Sequence, residues 1–415
     1  MKTAGIIAEY NPFHNGHAYH LNRVRQCTDA DYLIIVMSGN FMQRGVPAIL
    51  DKYSRARMAL ENGADLVLEL PCLFACSSAE LFAKGGVSLL HQLGVVDFLG
   101  FGCENDDLPL LKEAAFILFE EPEAYRLVLQ QSLREGNSFP VARSMALSAC
   151  MQKELPDSAF FSSPNNILAM EYLKALRFFD STITPVAIRR TGAAYHEDTL
   201  CPSYSSALAI RNTLLAQEDT GLEPEALLGQ VPDSVLLMLK QAYHKTYPIT
   251  TRDFSKQLHY KLLLDAEKGY TEYLDVSKNL SDKIKKNLHS YTNFDSFCML
   301  LKSKELTYTR ICRCMLHILL DIRKKDLLPA VPYARILGFR ENAKPLLKEL
   351  GANSRLPLLT VAADAKQFLR DPAVSDRKKR MLQLDLTASR IYTSAVLHQF
   401  QVTLPDEFGA PLLKV

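Results

Sequence analysis

Two histidines that flank a glycine are the side chains in this sequence best suited to chemistry. The segment Tyr10-Asn-Pro-Phe-His-Asn-Gly-His17 follows an apolar run at residues 3–8 and enters a predicted helix over residues 16–26. A helix N-terminus presents unpaired N–H groups and a partial positive charge, which favour phosphate. The imidazoles of His14 and His17 can donate further hydrogen bonds to phosphoryl oxygens as charge develops. The spacing therefore predicts a phosphate-binding site for nucleotidyl transfer.

Two other interpretations of the histidine pair compete with this one. The first is a glycine turn with two surface histidines, since short motifs match by chance. The second is a zinc site, but no third ligand lies nearby and the His-Glu-x-x-His pattern is absent. The strand before the motif and the helix after it favour phosphate contact, so we predict no metal site.

The elements around this segment predict the fold that positions it. Continuous apolar runs, typical of strands buried on both faces, alternate with segments of helical periodicity. Such alternation implies right-handed crossovers in a parallel sheet, which binds ligands beyond the carboxyl ends of its strands. The predicted class is α/β, a Rossmann-like doubly wound parallel sheet, with strands at residues 3–8, 31–37, 65–70, 95–101 and 185–189.

The 415 residues exceed what one compact core usually holds, so we divide the chain into domains. We predict an α/β domain at residues 1–216, a helical region at 217–328 and a small C-terminal α/β unit at 329–415. The last unit is predicted to contain strands at residues 333–338 and 356–361 around a helix.

Composition excludes several classes of protein. Hydrophobic residues make up 48% and charged residues 23%, which is typical of a globular chain. The net charge of +2 provides no global argument for nucleic acid. The nine cysteines show no disulfide or metal spacing, and no signal peptide or membrane span is evident. We expect a reduced, cytoplasmic protein.

A local basic segment is the candidate nucleic-acid surface. Residues 278–325 contain 11 Lys or Arg against four acids. Arg310, Arg313 and His317 share helical spacing opposite an apolar face. A solvated charged face is an equally good interpretation on charge alone.

Longer strings of sequence then resemble a known family. His14-Asn15-Gly16-His17 resembles the His-x-Gly-His signature of the nucleotidyltransferase superfamily related to class I aminoacyl-tRNA synthetases. The string Gly5-Ile-Ile-Ala-Glu-Tyr-Asn-Pro-Phe-His-Asn-Gly-His-Ala-Tyr-His20 is similar to that of the tRNA(Met) cytidine acetate ligase family. Four further blocks also match: Met37-Ser-Gly-Asn-Phe-Met-Gln-Arg-Gly45, Phe101-Gly-Cys-Glu104, Ser163-Pro-Asn-Asn-Ile-Leu168 and Arg190-Thr-Gly-Ala-Ala-Tyr-His196.

The resemblance implies a two-step, ATP-dependent reaction. Acetate and ATP would give acetyl-adenylate and pyrophosphate, and the acetyl group would pass to the wobble cytidine of elongator tRNA(Met), giving N4-acetylcytidine. Magnesium could bridge the ATP phosphates, but no carboxylate cage for it is visible in the sequence. Arg44 could bind acetate, tRNA phosphate or Asp51, and no residue is assigned to acetate.

The resemblance also implies the site residues. His14 and His17 would be catalytic, and Lys302, Arg310 and Arg313 are the candidate tRNA contacts. ATP would contact Ile7, Ala8, Glu9, Tyr10, Asn11, Pro12, Phe13, His14, Asn15, Gly16, His17, His20, Gly102, Asn165 and Arg190.

The sequence departs from the family pattern in two places. Cys103 stands where the family usually has serine, which weakens any claim that this side chain reacts. The segment Ser205-Ser-Ala-Leu-Ala-Ile-Arg211 is a weak echo of the superfamily's second signature, with Leu208 at its threonine position. Helix capping is an alternative role for Ser206 and for one of Asn165 and Asn166.

Two other functions stay open from the sequence. One is a nucleotidyltransferase that acts on a phosphorylated metabolite, which would have no use for the helical and basic region. The other is a non-catalytic RNA-binding protein that kept a degenerate nucleotide fold, against which the intact His14, Gly16 and His17 argue.

Overall fold

Alternating strands and helices build the first half of the chain. The computed structural model describes residues 1–151, 160–190, 199–200, 204–216, 224–407, 409 and 411–415. The elements up to the fourth strand are β1 Thr3–Ala8, α1 Asn15–Thr28, β2 Tyr32–Ser38, α2 Lys52–Glu61, β3 Leu66–Leu70, α3 Cys72–Ala75, α4 Ala79–Leu93 and β4 Phe98–Cys103. There follow α5 Leu108–Glu120, α6 Glu123–Arg134, α7 Phe139–Cys150, α8 Pro164–Phe178, β5 Thr184–Arg189 and α9 Ala207–Ala216.

Local sequence explains where several of these helices begin and end. Asp51 caps α2 by accepting hydrogen bonds from the backbone N–H groups of Tyr53 and Ser54. Ser78 caps α4, which ends at Gly94 with a φ of 71°, a left-handed conformation that favours glycine.

The five strands predicted from the sequence form one sheet, which confirms the α/β class. Its order is β5-β4-β1-β2-β3, and these strands are parallel. Gly5 of β1 pairs with Ile34 on one side and with Leu99 on the other. The chain leaves β1 and β4 in opposite directions, which opens a crevice at their carboxyl ends.

Helices dominate the next part of the chain, and a short α/β stretch closes it. The helical region contains α10 Asp233–Ala242, α11 Ser255–Asp265, α12 Lys278–Asn287, α13 Phe294–Leu301 and α14 Tyr308–Leu319. The last elements are β6 Ala334–Phe339, α15 Lys344–Asn353, β7 Leu358–Leu359, α16 Ala362–Arg370, α17 Asp376–Phe400 and β8 Leu413–Lys414. Short 3₁₀ turns lie at Pro224–Leu227, Thr251–Phe254, Leu288–Ser290, Lys324–Asp326 and Glu341–Ala343.

The C-terminal strands extend the main sheet instead of forming a separate one. β6 pairs antiparallel with β3, and β7 and β8 pair with β6. The elements predicted for residues 329–415 are thus present, but they complete the first sheet. The division into residues 1–216, 217–328 and 329–415 stays a prediction, and the first boundary adjoins residues outside those described.

A buried ionic cluster joins the C-terminal segment to β3. The Lys52 ammonium lies 2.7 Å from the Glu69 carboxylate and 2.5 Å from that of Glu407, and Arg335 lies 2.6 Å from Glu407. Burial alone would lower the pKa of Lys52, but the carboxylates of Glu407 and Glu69 raise it above its ordinary value. Charges taken out of water in this way depend on their partners.

Replacing Lys52 with methionine should therefore be strongly destabilising. The variant keeps most of the side-chain volume but leaves two buried carboxylates short of a cation, so we expect the free energy of unfolding to fall by about 3–5 kcal/mol. Urea titration measures this. In the control Lys2→Met, which breaks the exposed Lys2–Asp29 pair, we expect a loss below about 1 kcal/mol. Equal small losses in both variants would contradict a structural role for the cluster.

Candidate active site

A pocket opens at the carboxyl ends of β1 and β4. Twelve of the fifteen residues predicted to contact ATP line its wall: Ile7, Ala8, Glu9, Tyr10, Asn11, His14, Gly16, His17, His20, Gly102, Asn165 and Arg190. The other three, Pro12, Phe13 and Asn15, are not among the lining residues. The structure thus brings together residues from β1, α1, β4, α8 and the end of β5.

Pro12, Phe13 and Asn15 lie outside the pocket wall and stabilise the motif. Phe13 is fully buried and packs edge-on against Tyr10, with ring centroids 4.9 Å apart. The Asn15 side chain donates to the Gly229 carbonyl at 2.7 Å, and its backbone N–H donates to the carbonyl of Gln230 at 3.1 Å. Pro12 is buried. Asn15 therefore ties the start of α1 to the helical region.

The two motif histidines are fixed by the backbone at the start of α1. His14 Nδ1 accepts from the Gly16 N–H at 3.1 Å, and His17 Nδ1 accepts from the His14 N–H at 3.2 Å. The two rings stack with centroids 3.6 Å apart. Because a backbone N–H can only donate, each Nδ1 is an acceptor, and each neutral ring carries its proton on Nε2. Each histidine therefore offers one Nε2–H donor to a ligand.

Burial keeps these imidazoles neutral. Burial and, after it, the positive charges of Arg190 and Arg211 lower the pKa of His14 to about 3. Burial also lowers the pKa of His17 well below its ordinary value, helped by His14 and Arg190. The pKa of His20 falls to about 4, chiefly through burial, although a hydrogen bond with the Phe101 backbone acts the other way. Fixed positive charge at the site thus comes from arginine.

Gly16 has a steric role within the motif. A Cβ at this position would lie 2.9 Å from Cε1 and 3.1 Å from Nδ1 of His14, which is closer than side chains approach. Gly16 thus leaves room for the His14 ring and also lines the pocket. Tyr10, with a φ of 48°, sits in a left-handed conformation that costs a bulky residue about 1–3 kcal/mol.

The opposite wall is formed by the ends of β4 and β5. The Arg190 backbone N–H donates to the Cys103 carbonyl at 2.9 Å, and a Cβ on Gly102 would lie 3.5 Å from Arg190 Cγ. The stem of Arg190 therefore lies beside bare backbone at Gly102. Cys103 is buried, and burial raises the pKa of its thiol to about 12. A thiol held in this way does not act as a nucleophile, in line with its departure from the family pattern.

The two asparagines at the start of α8 have different roles. Asn166 is buried, and its Oδ1 accepts from the backbone N–H groups of Glu104 at 3.0 Å and Asn105 at 3.4 Å. Asn165 lines the pocket. Of the pair, Asn166 therefore caps the turn after β4, and Asn165 is the one available to a ligand.

The segment at residues 205–211, which weakly resembles the second signature of the superfamily, supports the His14–His17 motif structurally. Ser206 Oγ accepts from the Ala209 N–H at 3.0 Å, which is the capping role given as an alternative. Arg211 donates to the Asn11 carbonyl at 2.7 Å and lines the pocket. Arg211 thus braces the loop after β1 while placing its charge beside His14.

Arg55 supports the site from the core and was missed by sequence reasoning. Its fully buried guanidinium donates to four carbonyl oxygens, those of Glu9, Ser38, Gly39 and Leu50. A basic residue inside an amphipathic helix ordinarily indicates a surface position, so no local signal could have identified it.

The residues predicted to form a basic surface differ in their exposure to solvent. Lys302 is exposed, and Arg310 and Arg313 are half-buried. The Arg313 Nε is buried and has no hydrogen-bond partner in the described part of the chain. His317 was placed wrongly on this face. It is fully buried, with its two ring nitrogens 2.9 Å from the Leu274 carbonyl and 3.0 Å from the Cys76 carbonyl. Partners from distant segments satisfy it inside the core.

Helix α14, which carries Arg310 and Arg313, packs against a loop that lines the pocket. Gly45, with a φ of 77°, packs on the α14 backbone so closely that a Cβ would lie 2.3 Å from Arg313 N and 2.4 Å from Cys312 C. Its neighbours Met42, Gln43, Arg44 and Val46 line the pocket. Asp51 caps α2, and Arg44 faces the pocket from a half-buried position.

Two searches of the described ranges bear on metals and membranes. Over residues 1–151, 160–190 and the later described segments, no three His, Cys, Asp or Glu side chains are grouped to hold a metal ion. In the same part of the chain, no helix has the length and apolar character to cross a bilayer.

Comparison with known proteins gives matches over the whole chain. The family model of the HIGH nucleotidyl transferases matches residues 1–404. The tRNA(Met) cytidine acetate ligase of Thermoanaerobacter sp. (strain X514) is 40% identical, with 100% of both chains covered. That of Clostridium kluyveri (strain ATCC 8527) is 39% identical over 96% of this chain and 99% of the relative.

Two solved structures also match over the whole chain. The crystal structure of Thermotoga maritima TmcAL without ligand aligns with a TM-score of 0.90 at 30% identity. A second crystal form, bound with alpha-thio ATP, aligns with a TM-score of 0.88 at the same identity. Each alignment covers 100% of both chains.

Removing the His17 imidazole should stop nucleotidyl transfer without unfolding the chain. In His17→Ala the pocket loses one Nε2–H donor, so we expect ATP–pyrophosphate exchange to fall about 100-fold or more. The matched control is His398→Ala, at an exposed histidine in the last turn of α17, and should exchange normally. Unchanged urea midpoints establish that both variants are folded. Normal exchange in a folded His17→Ala variant would remove His17 from catalysis.

Proposed function

This chain belongs to the tRNA(Met) cytidine acetate ligase family of HIGH nucleotidyl transferases, and we propose that it acetylates the wobble cytidine of elongator tRNA(Met) with acetate and ATP. The membership confirms the family predicted from the sequence motifs. We place the reaction in the cytoplasm, where the tRNA substrate is found. One observation carries the proposal: two neutral, stacked imidazoles present Nε2–H donors at a helix N-terminus in the β1/β4 crevice.

The first step activates acetate. An acetate oxygen bonds to the α-phosphorus of ATP while the bond from that phosphorus to the bridging oxygen of the β-phosphate breaks, giving acetyl-adenylate and pyrophosphate. Charge on the α-phosphate oxygens is met by the His14 and His17 donors and by the Arg190 guanidinium. Donors already held by backbone need no reorganisation as charge develops. Positioning and charge stabilisation suffice, because this step moves no proton.

The second step transfers the acetyl group to RNA. The exocyclic N4 of cytidine attacks the acetyl carbonyl carbon, the bond to the AMP oxygen breaks, and N4 loses a proton. The cytidine must therefore reach the pocket, while the neighbouring phosphates need cationic contacts outside it. The packing of α14 on the pocket-lining loop at Gly45 supports this arrangement, since Arg310 and Arg313 lie on that helix. We assign Lys302, Arg310 and Arg313 to tRNA on this basis.

Isotope exchange between ATP and pyrophosphate tests the first step. We expect exchange that depends on acetate, measured with and without tRNA(Met), and no exchange when acetate is omitted. His17→Ala is the control for a contaminating enzyme and should be silent. Exchange driven by a phosphorylated metabolite and not by acetate would favour the rival nucleotidyltransferase. ATP binding without exchange under any of these conditions would favour a non-catalytic RNA-binding protein.

Charge reversal on the basic surface tests the second step. In Lys302→Glu/Arg310→Glu we expect the KM for tRNA to rise on the order of tenfold, because phosphate contacts become repulsive. Acetate-dependent exchange without tRNA should be unchanged. Arg313 is left intact because its own backbone packs against Gly45 of the pocket loop. The control Lys348→Glu, at an exposed lysine of α15, should leave both activities unchanged. An unchanged KM for tRNA would contradict the tRNA assignment, whereas equal loss of exchange and transfer would indicate a folding defect.

A further inference from the structure

A carboxylate behind the pocket wall holds the start of α8. Glu104 accepts hydrogen bonds from Asn165 Nδ2 at 2.6 Å, from the Asn166 backbone N–H at 3.0 Å and from the Asn165 backbone N–H at 3.4 Å. In return, Asn166 Oδ1 accepts hydrogen bonds from the backbone N–H groups of Glu104 and Asn105. The turn after β4 and the first turn of α8 are thereby locked together. Glu104 itself does not line the pocket.

This contact determines which end of the Asn165 amide faces Glu104. A carboxylate only accepts, so the group 2.6 Å away must be the NH₂ and the carbonyl Oδ1 must point elsewhere. Within the described residues, no group donates to that Oδ1. Since Asn165 lines the pocket, its free acceptor is available to a ligand there.

Asn165 Oδ1 is a hydrogen-bond acceptor, whereas the other groups named at the phosphate site are donors or cations. His14 and His17 offer Nε2–H donors, and Arg190 and Arg211 contribute positive charge, all of which suit phosphate oxygens. A carbonyl oxygen would repel a phosphate and needs a ligand N–H or O–H. The nucleoside part of ATP supplies such donors in its ribose hydroxyls and its exocyclic amine.

We propose that Glu104 is a positioning residue that orients the Asn165 amide so that its oxygen accepts a hydrogen bond from the nucleoside of ATP. The proposal deepens the ATP site and rests on the proposed function for its ligand. Its measurements use ATP binding alone, by isothermal titration calorimetry without acetate or tRNA. Failure of acetate activation would therefore leave this test intact.

Exchanging the acid and the amide between positions 104 and 165, which conserves net charge, tests the orientation of the Asn165 amide. Asn165→Asp sets two carboxylates against each other, so we expect the Kd for ATP to rise at least tenfold. In Glu104→Gln/Asn165→Asp the glutamine NH₂ donates to one aspartate oxygen and leaves the other free to accept. The double variant should therefore bind ATP within about threefold of wild type. The control Glu120→Gln, in an exposed pair on α5, should bind normally. A double variant as weak as Asn165→Asp would overturn the proposal.

Nucleotide analogues identify the donor and separate this role from a structural one. Wild type should bind ATP about tenfold more tightly than whichever of 2′-deoxy-ATP, 3′-deoxy-ATP and ITP lacks the donated hydrogen. In Asn165→Ala that preference should vanish, and the affinity ratios for the other two analogues should stay as in wild type. Loss of stability alone would not change these ratios. Ratios equal to those of wild type for all three analogues would overturn the proposal, provided that urea midpoints show Asn165→Ala to be folded.

Discussion

The buried guanidinium of Arg55 is the contact on which the architecture of the site depends. It joins the carbonyls of Glu9, Ser38, Gly39 and Leu50, and so fixes the loops after β1 and β2 relative to each other. Burying a charge without a carboxylate is costly, and burial lowers the pKa of this arginine. Convergent carbonyl dipoles offset that cost only when both loops are in place. The loop after β1, which carries the histidine motif, is therefore shaped by the core behind it before any ligand binds.

The cost of burying an unpaired charge also explains why His14 and His17 are neutral. His14 and His17 are stacked and lie near Arg190 and Arg211, so protonating either ring would add a positive charge to a buried cationic site. Neutral rings avoid that repulsion while keeping one N–H each, oriented by the backbone bonds to Nδ1. The positive charge of the site is then carried by Arg190 and Arg211. Direction and charge thus come from different side chains, which suits a step that needs stabilisation and no proton transfer.

Sequence reasoning succeeded where the signal is local and failed where partners are distant. Strands β1–β5 are unbroken apolar runs, and the His14 and His17 motif carries its own helix start. His317 looks like a surface residue by helical phase, yet it is buried because carbonyls from two other segments satisfy it. The choice between Asn165 and Asn166 depends on Glu104, 61 residues away from Asn165, and no spacing encodes that contact. The pairing of β6 with β3 is hidden for the same reason.

The helical region is best understood as a support for the pocket. Asn15, inside the histidine motif, is bound to Gly229 and Gln230, so the start of α1 is held by residues beyond the first α/β segment. On the other side, Gly45 holds the pocket loop against α14. A nucleotidyltransferase that acts on a small metabolite needs neither support, whereas an enzyme that presents an anticodon base to an adenylate needs its RNA surface in fixed register with its phosphate site. The two contacts hold the helical region against the pocket, because any shift of that region would move both the start of α1 and the loop at Gly45.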